Sequence, residues 1–570
     1  MSGIRARTVL GPLVCLSGLA GCGPAKGPLP LGPQPIAYVD TLPIAEPRSF
    51  EPVEKTGALD APFAGSVAGA LSVRHWAGPQ RRALNLNDFD EVVSSAWFEH
   101  RNGARRLTPE EVARGPTTAG PDTSLLTIVA GKSTGRTPGF TVEDRRGDRY
   151  LFKFDPPGFL HMASSAEVIS SRLFHAAGYY TPENYIVVFD TAQLALAPEA
   201  RVDSAGGGER PMTREHVEEI LSRVDALPDG RYLAMASKFV PGVPKGPFRF
   251  KGRRSDDPNE HYQHEHRREL RGLRILAAWL NDVDVGYMNT LDAYVEPGYL
   301  RHYLIDFGGS LGSGTLRPRE PREGREHDFE PGPTLARLFT LGFYQPPWET
   351  HLHSVIDPSI GWLRVEEFDP AGWRANQPNE AFSRVTPADG YWGAKLVGAF
   401  TDEQIRATVA KGRLPGAFAA DTLAKIIAFR RDRTVAYWYS RVTPVENVEA
   451  RGGAAAISGL IIAFDDLGIR DGVWDGAGTS YRWEFRHEAL DRRWSGEESA
   501  RAGSVPQSLT LTPESGSDLA GDAGRELSGQ EALATLTVTA IRGESAGRAA
   551  LVYLLWEGEG ESYRVVGLEH

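Results

Sequence analysis

Cysteine is nearly absent from this chain. Two occur in 570 residues, Cys15 and Cys22, and both lie in the first 22. The folded body therefore has no disulfide framework and no cysteine-based zinc site. A basic excess is missing too: 63 Lys and Arg stand against 74 Asp and Glu, for a net charge of −11. General nucleic-acid binding needs a basic face, so this balance argues against it. No apolar run is long enough to span a bilayer. There is no internal repeat and no H-E-x-x-H. Gly131-Lys-Ser133 looks like the end of a P-loop, but Leu126 stands where that motif requires glycine.

What is present begins with a targeting segment. Arg5 and Arg7 form a basic start, Thr8 to Leu19 a short apolar stretch, and Leu19-Ala-Gly-Cys22 resembles the bacterial lipobox. The expectation is a leader over 1–21 and lipidation of Cys22, which then anchors the chain to the bilayer without spanning it. Loss of Arg5 and Arg7 would take the formal charge from −11 to −13. Gly23 in place of an Asp points, by the same resemblance, to the outer membrane, facing the periplasm or the cell surface. A Pro- and Gly-rich tether covers 22–55.

The rest divides by pattern. Residues 56–240 read as an N-terminal decoration followed by a small β-rich lobe. Thr108-Pro-Glu-Glu is a helix start. Strands are predicted at Leu125–Val129, Phe140–Glu143 and Arg149–Phe154, with a glycine-rich loop over 131–139. That loop, with Gly131, Lys132 and Gly135, either lays backbone N–H groups on phosphates or is a plain long hairpin. A helix from Ser164 to Phe174, capped by Ser164, and a strand at Tyr185–Phe189 follow. Asp190–Asp229 reads as an insertion, and Arg231–Val240 as a returning strand.

Residues 241–444 read as a helical lobe. An apolar face over Leu270–Leu280 predicts a central helix, whose Arg267, Arg268 and Arg271 are expected on a solvated face. Arg430, Arg431 and Arg433 are expected to form a surface patch, and Trp348, Trp362, Trp373 and Trp392 to anchor the core. Residues 445–570 hold short β-like runs split by Gly-, Ser- and Asp-rich turns, a β-sandwich pattern. The expected class is α+β: a small antiparallel sheet lobe, a larger helical lobe and a C-terminal all-β domain.

The densest stretch is His264–Gly314. After the central helix come Asn281-Asp-Val-Asp284, Asn289, a hairpin turning at Glu296-Pro-Gly298, and Asp306-Phe-Gly-Gly309. Magnesium prefers hard oxygen ligands, which Asp306 and Asn289 offer. Asp284 can accept or orient an acceptor hydroxyl. Upstream, Lys153 ends a strand and Glu167 lies on the next helix.

Lys153, Glu167, Asp284, Asn289 and Asp306 stand in the order found in kinases, and 125–442 resembles the atypical HipA-type and CotH-type kinases. The resemblance implies a two-lobed kinase-like fold, ATP and Mg²⁺ as cofactors, Lys153 on phosphate, Glu167 holding Lys153, Asp284 serving the acceptor, and Asn289 and Asp306 on the metal. The pattern departs from ordinary kinases in lacking His-Arg before Asp284, so Asp282 is an alternative working carboxylate. No Ala-Pro-Glu follows Asp306-Phe-Gly. Little ATP is met outside the cytoplasm, so a non-catalytic envelope scaffold with the same fold is the second reading. A third is a metal-dependent hydrolase using His261, His264 and His266 with Glu265. The acceptor, protein or glycan, is not readable, nor is any role of the C-terminal domain.

Overall fold

The computed structural model describes residues 39–50, 81–132, 137–203, 208–314, 316–350, 355–366, 368–452, 459–501, 506–511, 527, 529–557 and 562–570. The leader, Cys22, most of the tether and Gly135 lie outside them. Among the described residues no helix is long and apolar enough to cross a membrane.

The architecture is α+β. Helix α1 (Pro109–Arg114) starts as its sequence prescribes, with Thr108 and Glu111 exchanging capping bonds and Pro109 in the first turn. Then come β1 (Leu126–Gly131), β2 (Gly139–Asp144), β3 (Arg149–Lys153), α2 (Met162–Ala177), β4 (Asn184–Phe189), β5 (Leu194–Asp203), β6 (Glu209–Pro211), α3 (Arg214–Leu221) and β7 (Tyr232–Lys238). The strands form one sheet in the order β4-β7-β3-β2-β1-β5-β6. All pairs are antiparallel except β1 with β5, where Leu126 lies opposite Leu194. The stretch expected to be an insertion thus contributes β5 and β6 to the main sheet.

Strand alternation decides what each face receives. Tyr150 and Phe152 of β3 point into an apolar cluster with Phe140, Val142, Phe189 and Ala236. Lys153 falls on the other face, where α2 crosses and Val168 packs on Ile186, Leu233 and Met235. Ser164 does not cap α2. The helix begins at Met162, and Asp155 accepts the His161 and Ser164 N–H groups, each at 2.8 Å.

The next part contains β8 (Val243–Gly246), α4 (Arg268–Leu280), β9 (Thr290–Val295), β10 (Tyr299–Leu304), α5 (Pro331–Phe339), α6 (Glu380–Ser383), α7 (Pro387–Gly398), α8 (Asp402–Ala410) and α9 (Ala417–Tyr439). Strands β8, β9 and β10 make a small antiparallel sheet. The largest apolar cluster is centred on α4, with Leu273, Leu276 and Trp279 fully buried, and extends to Trp97 and Phe98 of the N-terminal segment. Trp362, Trp373 and Trp392 are buried as expected, while Trp348 is half-buried.

The arginine expectations are overturned. Arg267, Arg268 and Arg271 are all buried. Arg268 bridges Asp90 and Asp389, each at 3.0 Å, and Arg271 reaches Asp389 at 3.1 Å. Arg430 is buried as well and donates to the Ala278 and Trp279 carbonyls at 2.6 and 2.8 Å, capping the end of α4. Arg431 is buried, and only Arg433 of that trio is exposed.

The C-terminal region contains β11 (Val445–Arg451), β12 (Leu460–Asp466), α10 (Leu467–Arg470), β13 (Thr479–His487), β14 (Arg492–Ser499), β15 (Gln507–Leu511), β16 (Leu533–Arg542), β17 (Ser545–Ala546), β18 (Ala550–Glu557) and β19 (Ser562–Glu569). They form a three-stranded sheet, β11-β12-β15, and a larger one, β14-β13-β16-β18-β19, with β17 beside β16. Ile462, Phe464 and Leu509 from the first meet Phe485, Leu536, Val538 and Val552 from the second in one core. Lys395 of α7 ties this region to the rest, reaching Glu446 at 2.7 Å and Glu91 at 2.9 Å.

Candidate active site

Three elements converge below the sheet. Lys153, at the end of β3, has its Nζ 2.8 Å from Asp306 Oδ1 and 3.8 Å from Glu167 Oε2. Glu167, on α2, is buried and held from two further sides. Asn184 donates to its Oε1 at 3.1 Å, and the Gly308 N–H donates to its Oε2 at 2.8 Å. The same residue therefore fixes Lys153 and the turn after Asp306. Ser310, in that turn, shares a 2.6 Å hydrogen bond with Ser170 of α2.

The hairpin β9–β10 brings the other groups in. Thr290 pairs with Leu304, and Ile305 N–H donates to the Asn289 carbonyl at 3.0 Å. Asn289 and Asp306 thus emerge at the same end of the hairpin. Asn289 Nδ2 donates to the Asp284 carbonyl at 2.8 Å. The loop before it is pinned where α4 ends in Asn281, whose left-handed φ of 52° closes the helix. Asp306 is also left-handed, at 60°, a conformation rare for a residue with a side chain and frequent at functional sites.

Asp306 and Asp284 lie low in a cleft with many protein atoms around them, yet their carboxylates reach solvent; 47% of the Asp306 side chain is accessible. Burial would raise Asp306, but the Lys153 ammonium outweighs it and holds the carboxyl below its ordinary value. Burial also lowers Lys153, and Asp306 and Glu167 more than reverse that, raising it to about 12. Glu167 is pushed up by burial against the pull of Lys153. Asp284 is pushed up by burial too, opposed by Arg319.

Asp282 differs. It is 4% exposed, its Oδ1 has no hydrogen bond, and burial beside the Asp284 charge raises its carboxyl to about 8.

Lys132 lies close enough to feel Lys153, Asp306 and Glu167. Burial, then repulsion from Lys153, lowers its ammonium to about 8. Its Nζ donates to the Thr137 carbonyl at 2.9 Å. Gly131 answers a packing need: a Cβ there would meet Val202 Cγ2 at 2.8 Å. Arg319 carried no sequence signal beyond its place in a loop after Asp306-Phe-Gly. It donates to the Ser313 carbonyl at 2.7 Å and pairs with Glu323 at 2.6 Å. A Cβ at Gly309 would lie 2.7 Å from its Nη2 and 3.2 Å from Asp284 Cβ, so that glycine lets Arg319 and Asp284 approach.

The three histidines do not converge. His264 is buried, His266 half-buried against Arg271 at 3.1 Å, and His261 exposed. A cavity of about 260 Å³ lies behind the Asn281 turn, lined by Trp348, Trp362, Trp373 and Arg430, and contains none of the cluster.

No family model matches the chain, and no curated protein matches it. Among solved structures it is similar to the Golgi casein kinase with Mn/ADP bound, at 11% identity over 57% of this chain and 76% of that one, with a TM-score of 0.27. A second structure of the Golgi casein kinase is similar at 9% identity over 72% of this chain and 95% of that one, with a TM-score of 0.26. Likeness of that degree carries no argument about the site, which stands on its own geometry.

Proposed function

We propose that this chain is a kinase-like phosphotransferase that binds ATP with Mg²⁺ and passes a phosphoryl or nucleotidyl group to a protein or glycan acceptor. One observation carries the reading. Lys153, Glu167 and Asp306 come from three separate elements and meet as a cation between two carboxylates in a cleft open to solvent.

Each group has a task suited to its surroundings. Lys153 holds donor phosphates as a fixed positive charge, and Glu167 fixes its position. Lys132 adds a second cation at the same cleft. Asp306 and Asn289 present a carboxylate and an amide oxygen at one hairpin end, a donor set that fits a hard divalent ion. Such an ion, when bound, neutralises phosphate charge. Asp284, raised by burial, is basic enough to accept a hydroxyl proton and exposed enough to meet an acceptor. Asp282, buried at 4% exposure, is less well placed than Asp284 to meet an acceptor. We further propose that Cys22 carries lipid and holds the protein at the cell envelope, outside the cytoplasm.

The test is nucleotide binding by the soluble body. ATP with Mg²⁺ should raise the melting temperature, because a ligand that binds only the folded state stabilises it. The rise should need the metal and vanish in Asp306→Asn. A parent protein that no nucleotide stabilises would sink the proposal and leave an envelope scaffold in its place.

A further inference from the structure

Beside the β9–β10 hairpin a second set of titratable groups is buried together. Asp257, Glu260 and His302 each offer a ligand atom, and those atoms lie within 4.8 Å of one another. All three are at most 5% exposed. We propose that they form a structural site for a divalent transition-metal ion of the zinc class. The proposal does not depend on the phosphotransferase reading.

The arrangement of His302 is that of a prepared ligand. It stands directly opposite Asp292 across the hairpin, and its Nδ1 donates to Asp292 Oδ1 at 2.7 Å. Arg254 holds Asp292 from the other side at 3.1 Å. A carboxylate on one ring nitrogen fixes the tautomer and leaves Nε2 as the lone pair for an ion. The ring cannot easily turn away, because Trp97 stacks on it at 3.5 Å between centroids.

The carboxylates lack the positive charge that burial demands. Among the described residues neither Asp257 nor Glu260 has an Arg or Lys ion pair. Glu260 Oε1 is buried with no hydrogen-bond partner. Its Oε2 lies 3.0 Å from His264 Nε2, and His264 Nδ1 is committed to the Arg249 carbonyl. One imidazole and two carboxylates, with a second imidazole adjacent, suit zinc in type. A cavity of about 540 Å³ reaches His264 and Asp292, the residues that touch Glu260 and His302. The ion would fasten the irregular loop after β8 to the hairpin that carries Asn289 and Asp306.

The experiment uses the full chain carrying Asp306→Asn, so that the cleft does not compete. The protein is stripped with a chelator, reloaded with Zn²⁺, dialysed, and its metal measured per chain. One retained zinc ion is expected, with a visible Co²⁺ spectrum after substitution. Glu260→Gln and Asp257→Asn, each checked for fold by circular dichroism, should each lower the retained zinc at least tenfold. No retained zinc in the Asp306→Asn chain would overturn the site. Retention undiminished in both further variants would overturn it equally, by placing the ion elsewhere.

Discussion

Asp282→Asn should make the protein more stable at neutral pH, which is an unusual outcome for a buried substitution. The Asp282 carboxyl titrates near 8 in the folded chain, against an ordinary value of 3.8. At pH 7 folding must therefore supply the proton that the unfolded chain has released. That gap is about 3 pH units, worth about 4 kcal/mol at 1.36 kcal/mol per unit. The figure is a ceiling, since water entry and side-chain relaxation reduce it, and a gain of about 1–3 kcal/mol is expected. The sign follows from linkage: a carboxyl raised by folding favours the folded state most below pH 3.8, and that contribution declines as pH rises towards 8. Asparagine has the same shape and does not titrate. The difference between variant and parent should thus be small at pH 4 and grow up to pH 8. Chemical denaturation at several pH values measures it. A variant less stable than the parent at pH 7, or a difference that does not change with pH, would refute the reasoning. The same variant should keep nucleotide-dependent transfer, whereas Asp284→Asn should lose it.

Three further outcomes follow from the geometry. Lys153→Met removes the cation beside buried Glu167, so it should abolish nucleotide stabilisation and cost up to about 3 kcal/mol; adding Glu167→Gln should recover part of the stability and none of the binding. Lys132 loses its proton as pH rises through about 8, so affinity for nucleotide should weaken above that pH; titration calorimetry on Lys132→Arg should show the affinity holding to higher pH. Arg268→Met removes the guanidinium shared by Asp90 and Asp389, leaving Asp90 to Arg82 and Asp389 to Arg271, and should cost up to about 3 kcal/mol in denaturant melts, with the cleft's metal dependence unchanged in the protein that remains folded.

The elements around the cleft were legible because their signals are local. A strand followed by a helix, and a hairpin bracketed by Asn289 and Asp306, follow from periodicity and turn residues within short windows. The arginines of α4 were misread for the same reason. Arg268 looks like a solvated charge within its own helix, and its partners Asp90 and Asp389 lie more than 100 residues away on either side. Strand β5 hid similarly, because its pairing with β1 skips four intervening elements. Strand β14, Arg-Arg-Trp-Ser-Gly-Glu-Glu-Ser, has too few apolar residues to announce itself. Arg319 belongs to no motif, and only the space left by Gly309 shows that its guanidinium belongs beside Asp284.

Lys395 bears on how this protein can be handled. Its buried ammonium takes one partner from the N-terminal segment, Glu91, and another from the first strand of the C-terminal region, Glu446. Tyr391, one helical turn before it, also donates to Glu446, at 3.0 Å. A cut at residue 444, the natural place to trim for expression, would leave that lysine with half its counter-charge and expose the side of α7 on which Tyr391 lies. Preparations shortened there are expected to aggregate or melt early, and any activity they lack would be a consequence of the cut and not of the cleft. The β-region is better regarded as part of the fold's foundation than as an accessory to be removed.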